Sequence, residues 1–248
     1  MVKKILVLIG TIFFLNTGVY AQKIIANFDV SYGILGKIGI ANAVLIKNKQ
    51  SYTIDMELAS TGLAKVLSGG RKERHLSKGH MEKGLMVTDT YKVTKTHGST
   101  VVHKEYRVDH QRKKVFKKYT KYKKGKLVTE ENSILGHYSK NDLLTLYFNL
   151  DLAIKKKTNA RTYTFKAVGA ERQQGKVTVI IPDNNALKQY KKDLGTNSAW
   201  YATAIIHQKI FSSKEGRLML GIADDGITNK AVLKDVIFFG DITAVRVK

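Results

Sequence analysis

Residues 26–34 are Ala-Asn-Phe-Asp-Val-Ser-Tyr-Gly-Ile, and apolar and polar side chains alternate along them. The pattern returns at residues 38–46 and, after a turn at Asn48-Lys49, at residues 51–58. Successive side chains of a strand point to opposite faces, so a period of two is typical of half-buried strands. Three such strands joined by short turns predict a β-meander.

The alternation continues along the rest of the chain. Further strands are predicted around residues 71–78, 85–95, 100–109, 115–123, 127–135, 161–168, 176–182, 200–208, 217–223 and 231–247. Short helices are predicted at 60–67, at 141–152, which is apolar nearly all round and should be buried, and at 184–194. We therefore predict a mainly β protein: a strongly curved antiparallel meander or incomplete β-barrel with two or three short inserted helices, residues 143–152 lying in its concave face.

The first residues have the features of a secretory signal peptide. Lys3 and Lys4 precede an apolar run over residues 5–15, and Val19-Tyr20-Ala21 suits signal cleavage. We predict a signal peptide at 1–21, a single domain at 22–248 and a periplasmic location. The alternative is an uncleaved N-terminal anchor. The chain has no Cys, which excludes disulfides and acylation at a Cys, and no later stretch resembles a transmembrane helix.

The formal net charge of +23 indicates attraction to polyanions. Exported proteins rarely meet nucleic acid, so the expected partners are anionic lipids, lipopolysaccharide, acidic glycans or an acidic protein. Compositional drift is the alternative, since Lys, Asn and Ile are abundant, as in proteins from AT-rich genomes.

The stretch 112–126 is the strongest local signal, because it contains no acid and mixes aromatic residues with lysines. Such a mixture suits anionic headgroups or glycans. The predicted anionic-surface patch consists of Lys117, Lys118, Tyr119, Lys121, Tyr122 and Lys123. The alternative is a charged edge hairpin that resists aggregation.

The sequence offers no catalytic constellation. It lacks a nucleophile elbow, a P-loop and a dinucleotide fingerprint, and Asp224-Asp225-Gly226 is typical of a turn. The pairs His75/His80 and His103/His110 have odd separations that suit neither one helix face nor one strand face, so no metal site is predicted. We expect a protein that is not an enzyme and that uses no cofactor.

Four segments carry a resemblance to a known family. They are residues 28–39, residues 52–55 with 60–67, residues 141–148, and residues 230–236 with 239–242. On these segments the chain resembles the Domain of Unknown Function 3108 family of exported bacterial envelope proteins. Relatives often have Asp-Pro-Leu-Ser where this chain has Asp142-Leu143-Leu144-Thr145, without the Pro. The resemblance implies an envelope protein with a curved antiparallel sheet and brings no established activity.

These observations lead to two hypotheses of function. The first is a non-enzymatic periplasmic protein that binds an apolar or lipid-like ligand between its curved sheet and its helices, because concave apolar sites bind such ligands. Its expected ligand-binding residues are Leu63, Leu67, Leu143, Leu146, Tyr147 and Leu150. The alternative is an envelope interaction or assembly factor that grips an anionic surface or protein through the basic hairpin.

Overall fold

The computed structural model describes residues 21–207, 216–234, 236 and 240–247. Residues 1–20, and with them almost all of the predicted signal peptide, lie outside the described residues. The described strands form one antiparallel sheet of 14 strands that does not close, and three short helices are inserted between them. The predicted fold class is therefore confirmed.

The elements have the following bounds. The strands are β1 (Gln22–Tyr32), β2 (Lys37–Lys47), β3 (Ser51–Ser60), β4 (Lys72–Glu82), β5 (Leu85–His97), β6 (Thr100–Asp109), β7 (Lys114–Lys123), β8 (Lys126–Ile134), β9 (Arg161–Lys166), β10 (Lys176–Ile181), β11 (Trp200–Ile205), β12 (Arg217–Ile222), β13 (Thr228–Leu233) and β14 (Ile242–Val247). The helices are α1 (Gly62–Leu67), α2 (Leu143–Ala153) and α3 (Asn184–Leu194). Within the described part of the chain, no helix has both the length and the apolar character needed to cross a membrane.

The strand order divides the sheet into two halves. One half runs from edge strand β8 in reverse sequence order to β1, and the other runs from β14 in reverse order to edge strand β9. The two halves meet where β1 pairs with β14. We call the end of the sheet at α1 the upper end, and the end with the β2–β3 and β4–β5 turns the lower end.

Helix α2 lies between the two halves of the sheet. Leu144 and Phe148 pack in one apolar cluster with inward-facing residues of β1–β7, such as Ile54. Leu146 and Leu150 pack in a second cluster with residues of β10–β12. The helix thus contacts both walls, as expected for a helix in the concave face of a curved sheet.

Contacts at the lower end hold α2 across the interior. The Asn149 side-chain amide donates to Met86 O at 2.9 Å, just after the β4–β5 turn. On the opposite wall, Trp200 Nε1 donates to Asp151 Oδ1 at 2.9 Å. Because Trp200 opens β11, which starts at the lower end, α2 spans the lower end from one half of the sheet to the other.

A buried carboxylate fixes the start of α2. Asp142 is the N-cap: its Oδ1 accepts from the backbone N–H groups of Leu144 and Thr145 at 2.8 and 3.0 Å. Its Oδ2 accepts from the hydroxyls of Thr88 and Thr145, each at 2.8 Å, and also from Ser77. Burial raises the pKa of Asp142, and the hydroxyl hydrogen bonds oppose that rise.

The hydroxyl group of Tyr52 completes this polar cluster. It lies 2.7 Å from Thr145 Oγ1 and 3.0 Å from Ser77 Oγ. Burial and the neighbouring Asp142 carboxylate raise the pKa of Tyr52 to about 12. Tyr52 therefore stays a neutral hydrogen-bonding partner, and the cluster ties β3, β4, β5 and α2 together.

Helix α3 packs outside this arrangement, on β11, β12 and β13. Leu187, Tyr190 and Leu194 form its apolar face, as the sequence predicts, and they pack with Met219 and Val232. Asp183 caps the helix by accepting from Ala186 N at 2.7 Å.

Candidate ligand-binding site

Several inward-facing apolar side chains are only partly buried toward the upper end of the sheet. On β3, Tyr52 and Ile54 are 3% and 0% exposed, whereas Met56 and Leu58, which face the same side, are only partly buried. On β1, Ala26 is buried and Val30 is only partly buried. The described side chains are therefore closely packed around α2 and less buried above it, in a region that we call the upper space.

An apolar wall borders this upper space. Val30, Met56, Leu58 and Ala244 belong to it, each partly buried and packed against the main core cluster. Ala41 lies between β1 and β3 on the inner face, because it pairs with Phe28 on one side and with Leu58 on the other. The wall carries only a small side chain at this point, and Ala41 is itself buried.

Glycine is required at the next inward position of β2. A Cβ on Gly39 would lie 2.7 Å from the backbone oxygen of Ala59, closer than real Cβ contacts. The close approach of β2 and β3 thus leaves no room for a side chain at position 39. Gly39 pairs with Val30 on one side and with Ser60 on the other, so no side chain separates these two residues on the inner face.

A charged wall continues from the apolar one at the same level. Glu73 pairs with Leu58 across β3 and β4, and its carboxylate lies 2.9 Å from Lys95 Nζ and 2.5 Å from Arg71 Nη2. Burial alone would raise the pKa of Glu73. Hydrogen bonds from His75 and Lys95 outweigh that effect and hold the pKa of this carboxyl well below its usual range.

A second carboxylate connects the two halves across the interior. Glu171 belongs to the β9–β10 connection, and its side chain lies 2.7 Å from Lys104 Nζ and 3.0 Å from Lys117 Nζ. It also accepts from the hydroxyl of Tyr106, whose ring stacks on Tyr91. Against the opposing effect of burial, the bonds from Lys104 and Tyr106 lower the pKa of Glu171 to about 2.

The upper space therefore combines two kinds of surface. Its apolar wall offers burial to a hydrocarbon body, and the neighbouring wall offers fixed charges to a polar group. This combination suits a ligand with an apolar part and a polar head.

The structure places the sequence-predicted ligand residues in two regions. Leu146 and Leu150 are each 4% exposed and pack against strand side chains, and Leu143 is partly buried beside them. Tyr147 packs in the main cluster, and its hydroxyl accepts from Thr228 N at 3.2 Å. Helix α1 contacts β2 and β3 near the upper end. The side chains of its Leu63 and Leu67 lie outside the described part of the structure.

Four lining residues were not identified from the sequence: Val30, Met56, Leu58 and Ala244. The sequence does indicate that two of them face inward, because the period of two places Met56 and Leu58 on the same face as Tyr52 and Ile54. That period assigns a face to each side chain. It does not indicate how far along the strand the interior is filled.

The basic hairpin β7–β8 forms one edge of the sheet and carries lysines on both faces, as the sequence predicts. Lys117, Tyr119, Lys121 and Lys123 share the parity of the buried Val115, so they face inward. Lys118 and Tyr122 face outward. Lys118 pairs with Glu130 at 2.6 Å, and the ring of Tyr122 meets the edge of His103.

The predicted patch thus consists of paired and unpaired lysines. Lys117 and Lys118 are bound to Glu171 and Glu130, whereas Lys121 and Lys123 form no ion pair with any residue that the structure describes. Beside them on β8, Leu127 and Val128 are 49% and 58% exposed. Cationic and apolar groups therefore lie together at the tip of this hairpin.

Known proteins assign this chain to no family. No family model matches the chain, and no curated protein matches it. The resemblance to the Domain of Unknown Function 3108 family therefore stays a prediction. Among solved structures, the chain is similar to the crystal structure of a β-barrel-like protein of domain of unknown function DUF1849 from Brucella abortus. The two share 12% sequence identity over 90% of this chain and 95% of that chain, with a TM-score of 0.48.

Proposed function

We propose that this protein is a non-enzymatic periplasmic protein that binds an apolar or lipid-like ligand in the upper space of its curved sheet. The observation that carries the proposal is the decline in burial from Ile54 to Leu58 along one inward face. Met56 and Leu58 are apolar side chains that the described residues leave partly uncovered, so an apolar ligand bound there would cover them.

The chemistry of the walls specifies the ligand class. Val30, Met56 and Leu58 would contact a hydrocarbon chain, and each buried methylene contributes about 0.8 kcal/mol. Lys95 and Lys104 stand on the neighbouring charged wall, each already paired with a carboxylate. A polar or anionic head would join these ion pairs rather than meet an isolated charge.

A binding assay with a fluorescent fatty acid tests the proposal. Residues 22–248 are titrated with cis-parinaric acid, whose emission rises in an apolar site. We expect saturable binding, and Leu58→Gln should weaken it about tenfold, because Leu58 is already partly buried and a ligand would add only part of the roughly 1.5–3 kcal/mol that fully burying a leucine contributes.

Ile25→Gln is the matched control, since it makes the same kind of change at an exposed strand position on β1, outside both candidate sites. Thermal unfolding of both variants shows that they remain folded. Native mass spectrometry of protein purified from its own periplasm would identify the bound ligand. Equal affinity of Leu58→Gln and Ile25→Gln would reject the upper space as the site, and absence of saturable binding together with a ligand-free mass would reject the function.

The exposed tip of β7–β8 favours a second candidate function, an envelope interaction or assembly factor that grips an anionic surface or protein. Lys121 and Lys123 supply charge free of ion pairs within the described residues, and Leu127 and Val128 supply apolar contact. Both the positive charge and the apolar contact strengthen binding to an anionic membrane surface.

Because Lys121 and Lys123 form no ion pair with any described residue, replacing them tests this second candidate function directly. Lys121→Gln with Lys123→Gln should abolish salt-sensitive sedimentation with phosphatidylglycerol vesicles. Lys191→Gln with Lys192→Gln on α3 removes the same charge elsewhere and should leave sedimentation unchanged. Equal losses from both double variants would mean that net charge, not this hairpin, governs the association.

A further inference from the structure

Three side chains with metal-binding atoms converge at the lower end of β4 and β5. His80 Nδ1 lies 2.9 Å from Asp89 Oδ1, and His110 Nε2 lies 3.1 Å from the same oxygen. One ligand atom of each residue lies within 4.8 Å of the others. They come from the end of β4, from β5 and from the β6–β7 turn, so their spacing in sequence carries no signal.

A β-bulge aims Asp89 at this cluster. Thr90 pairs with Lys78 and Thr88 pairs with Gly79, so Asp89 is the extra residue of β5. Bulges re-aim side chains and are common beside functional sites. A Cβ on Gly79 would lie 1.9 Å from Val87 O, so the bulge requires glycine opposite it.

A neighbouring tyrosine orients one of the imidazoles. His110 Nδ1 lies 2.9 Å from Tyr138 Oη, and His110 Nε2 lies 2.9 Å from Thr88 O. In this arrangement Nε2 carries the proton, because both of its contacts are acceptors. If a metal ion replaces that proton, Nδ1–H can donate to Tyr138 Oη. A hydrogen bond of this kind fixes the ring of a metal-binding histidine.

The cluster is open to solvent on one side. The side chains of His80, Asp89 and His110 are 43%, 47% and 25% exposed. His110 also lines a surface groove of about 500 Å³ together with Arg107 and Phe116. A metal ion could therefore enter, and water or an exogenous ligand could complete its coordination.

We propose that His80, Asp89 and His110 form a binding site for one divalent transition-metal ion of the Zn²⁺ class. Two imidazole nitrogens and one carboxylate oxygen are ligands that Zn²⁺ accepts, and three protein ligands leave a coordination position free. This proposal departs from the expectation of no metal site, which rested on sequence spacing alone. It is independent of the proposed ligand in the upper space.

Cobalt and zinc titrations test the site. Untagged protein covering residues 22–248 is stripped with a chelator and titrated with Co²⁺, whose visible absorption reports its ligands, and Zn²⁺ affinity is measured by competition with a chromogenic chelator. We expect one site per chain. His80→Gln and Asp89→Asn should each weaken binding at least about tenfold, and Tyr138→Phe should weaken it by about tenfold without abolishing it.

His103→Gln is the matched control, because His103 is an exposed strand histidine that bonds to Thr94 outside the cluster. It should bind like the parent protein. Circular dichroism confirms that each variant is folded. The proposal is overturned if the parent protein binds Zn²⁺ no more tightly than the double variant of His80→Gln and Asp89→Asn, or if His103→Gln weakens binding as much as His80→Gln.

Discussion

Replacing Asp142 by Ala should destabilise the protein far more than loss of an ordinary helix cap. An N-cap aspartate contributes about 1 kcal/mol through its bonds to the first turn. Asp142 also accepts from the buried hydroxyls of Ser77, Thr88 and Thr145, and a buried polar group without a partner costs about 1–3 kcal/mol. The hydroxyls also bond to one another, so only part of that cost would appear. We expect Asp142→Ala to lower the free energy of unfolding by about 3–5 kcal/mol.

The chain supplies its own control for this measurement. Asp183 caps α3 in the same way, but it is exposed, and no hydroxyl of the described residues bonds to its carboxylate. Asp183→Ala should therefore cost only about 1 kcal/mol. Asp142→Asn keeps an oxygen for the helix cap, so its loss in the free energy of unfolding should lie between those of the two alanine variants.

Urea unfolding followed by circular dichroism gives the free energies, with a shared slope confirming comparable unfolding transitions. If Asp142→Ala were no more costly than Asp183→Ala, the hydroxyl cluster would add nothing to the cap. The account of how α2 is fixed at the lower end would then be wrong.

Three further outcomes are expected. Gly79→Ala should lower the free energy of unfolding by more than about 3 kcal/mol, because its Cβ would meet a backbone oxygen; a thermal midpoint within a few degrees of the parent would contradict this. Stability should fall as the pH drops from about 4.5 toward 2, since the unfolded chain takes up a proton at Glu171 before the native protein does, and Glu171→Gln should reduce this acid sensitivity in urea titrations at several pH values. Expressed in a Gram-negative host, the full chain should yield a periplasmic product cut after Ala21; an intact N-terminus by mass spectrometry would favour the uncleaved anchor.

The fold could be predicted from the sequence where a local pattern determines it. The period of two in residues 26–34 and 51–58 locates β1 and β3, and Asp142 marks the start of α2. The continuous apolar surface of residues 143–152 also predicts that this helix is buried. Each of these inferences needs only the neighbours of a residue in sequence, which is why it succeeds.

The candidate sites depend on contacts between distant segments. His80 and His110 meet only because a bulge and a turn bring two strand ends together. Glu171 reaches Lys104 and Lys117 across the interior. This contact depends on the curvature of the sheet, which the sequence does not give. The sequence pattern likewise does not predict how much of the volume below Leu58 is filled by the side chains of α2. Local periodicity therefore predicts the strands and the face of each side chain, but not which distant side chains meet in the folded protein.

The pairing of β1 with β14 has a consequence for how the molecule folds. Asn27 lies opposite Val247, so the junction between the halves joins the first described strand to the last one. Contacts of such long sequence separation form late and slowly, because a large loop must close first. Until β14 arrives, β1 presents an unpaired edge that other chains can join. We therefore expect the newly made chain to fold slowly, and a chaperone that covers the open edge of β1 should raise the yield of folded protein.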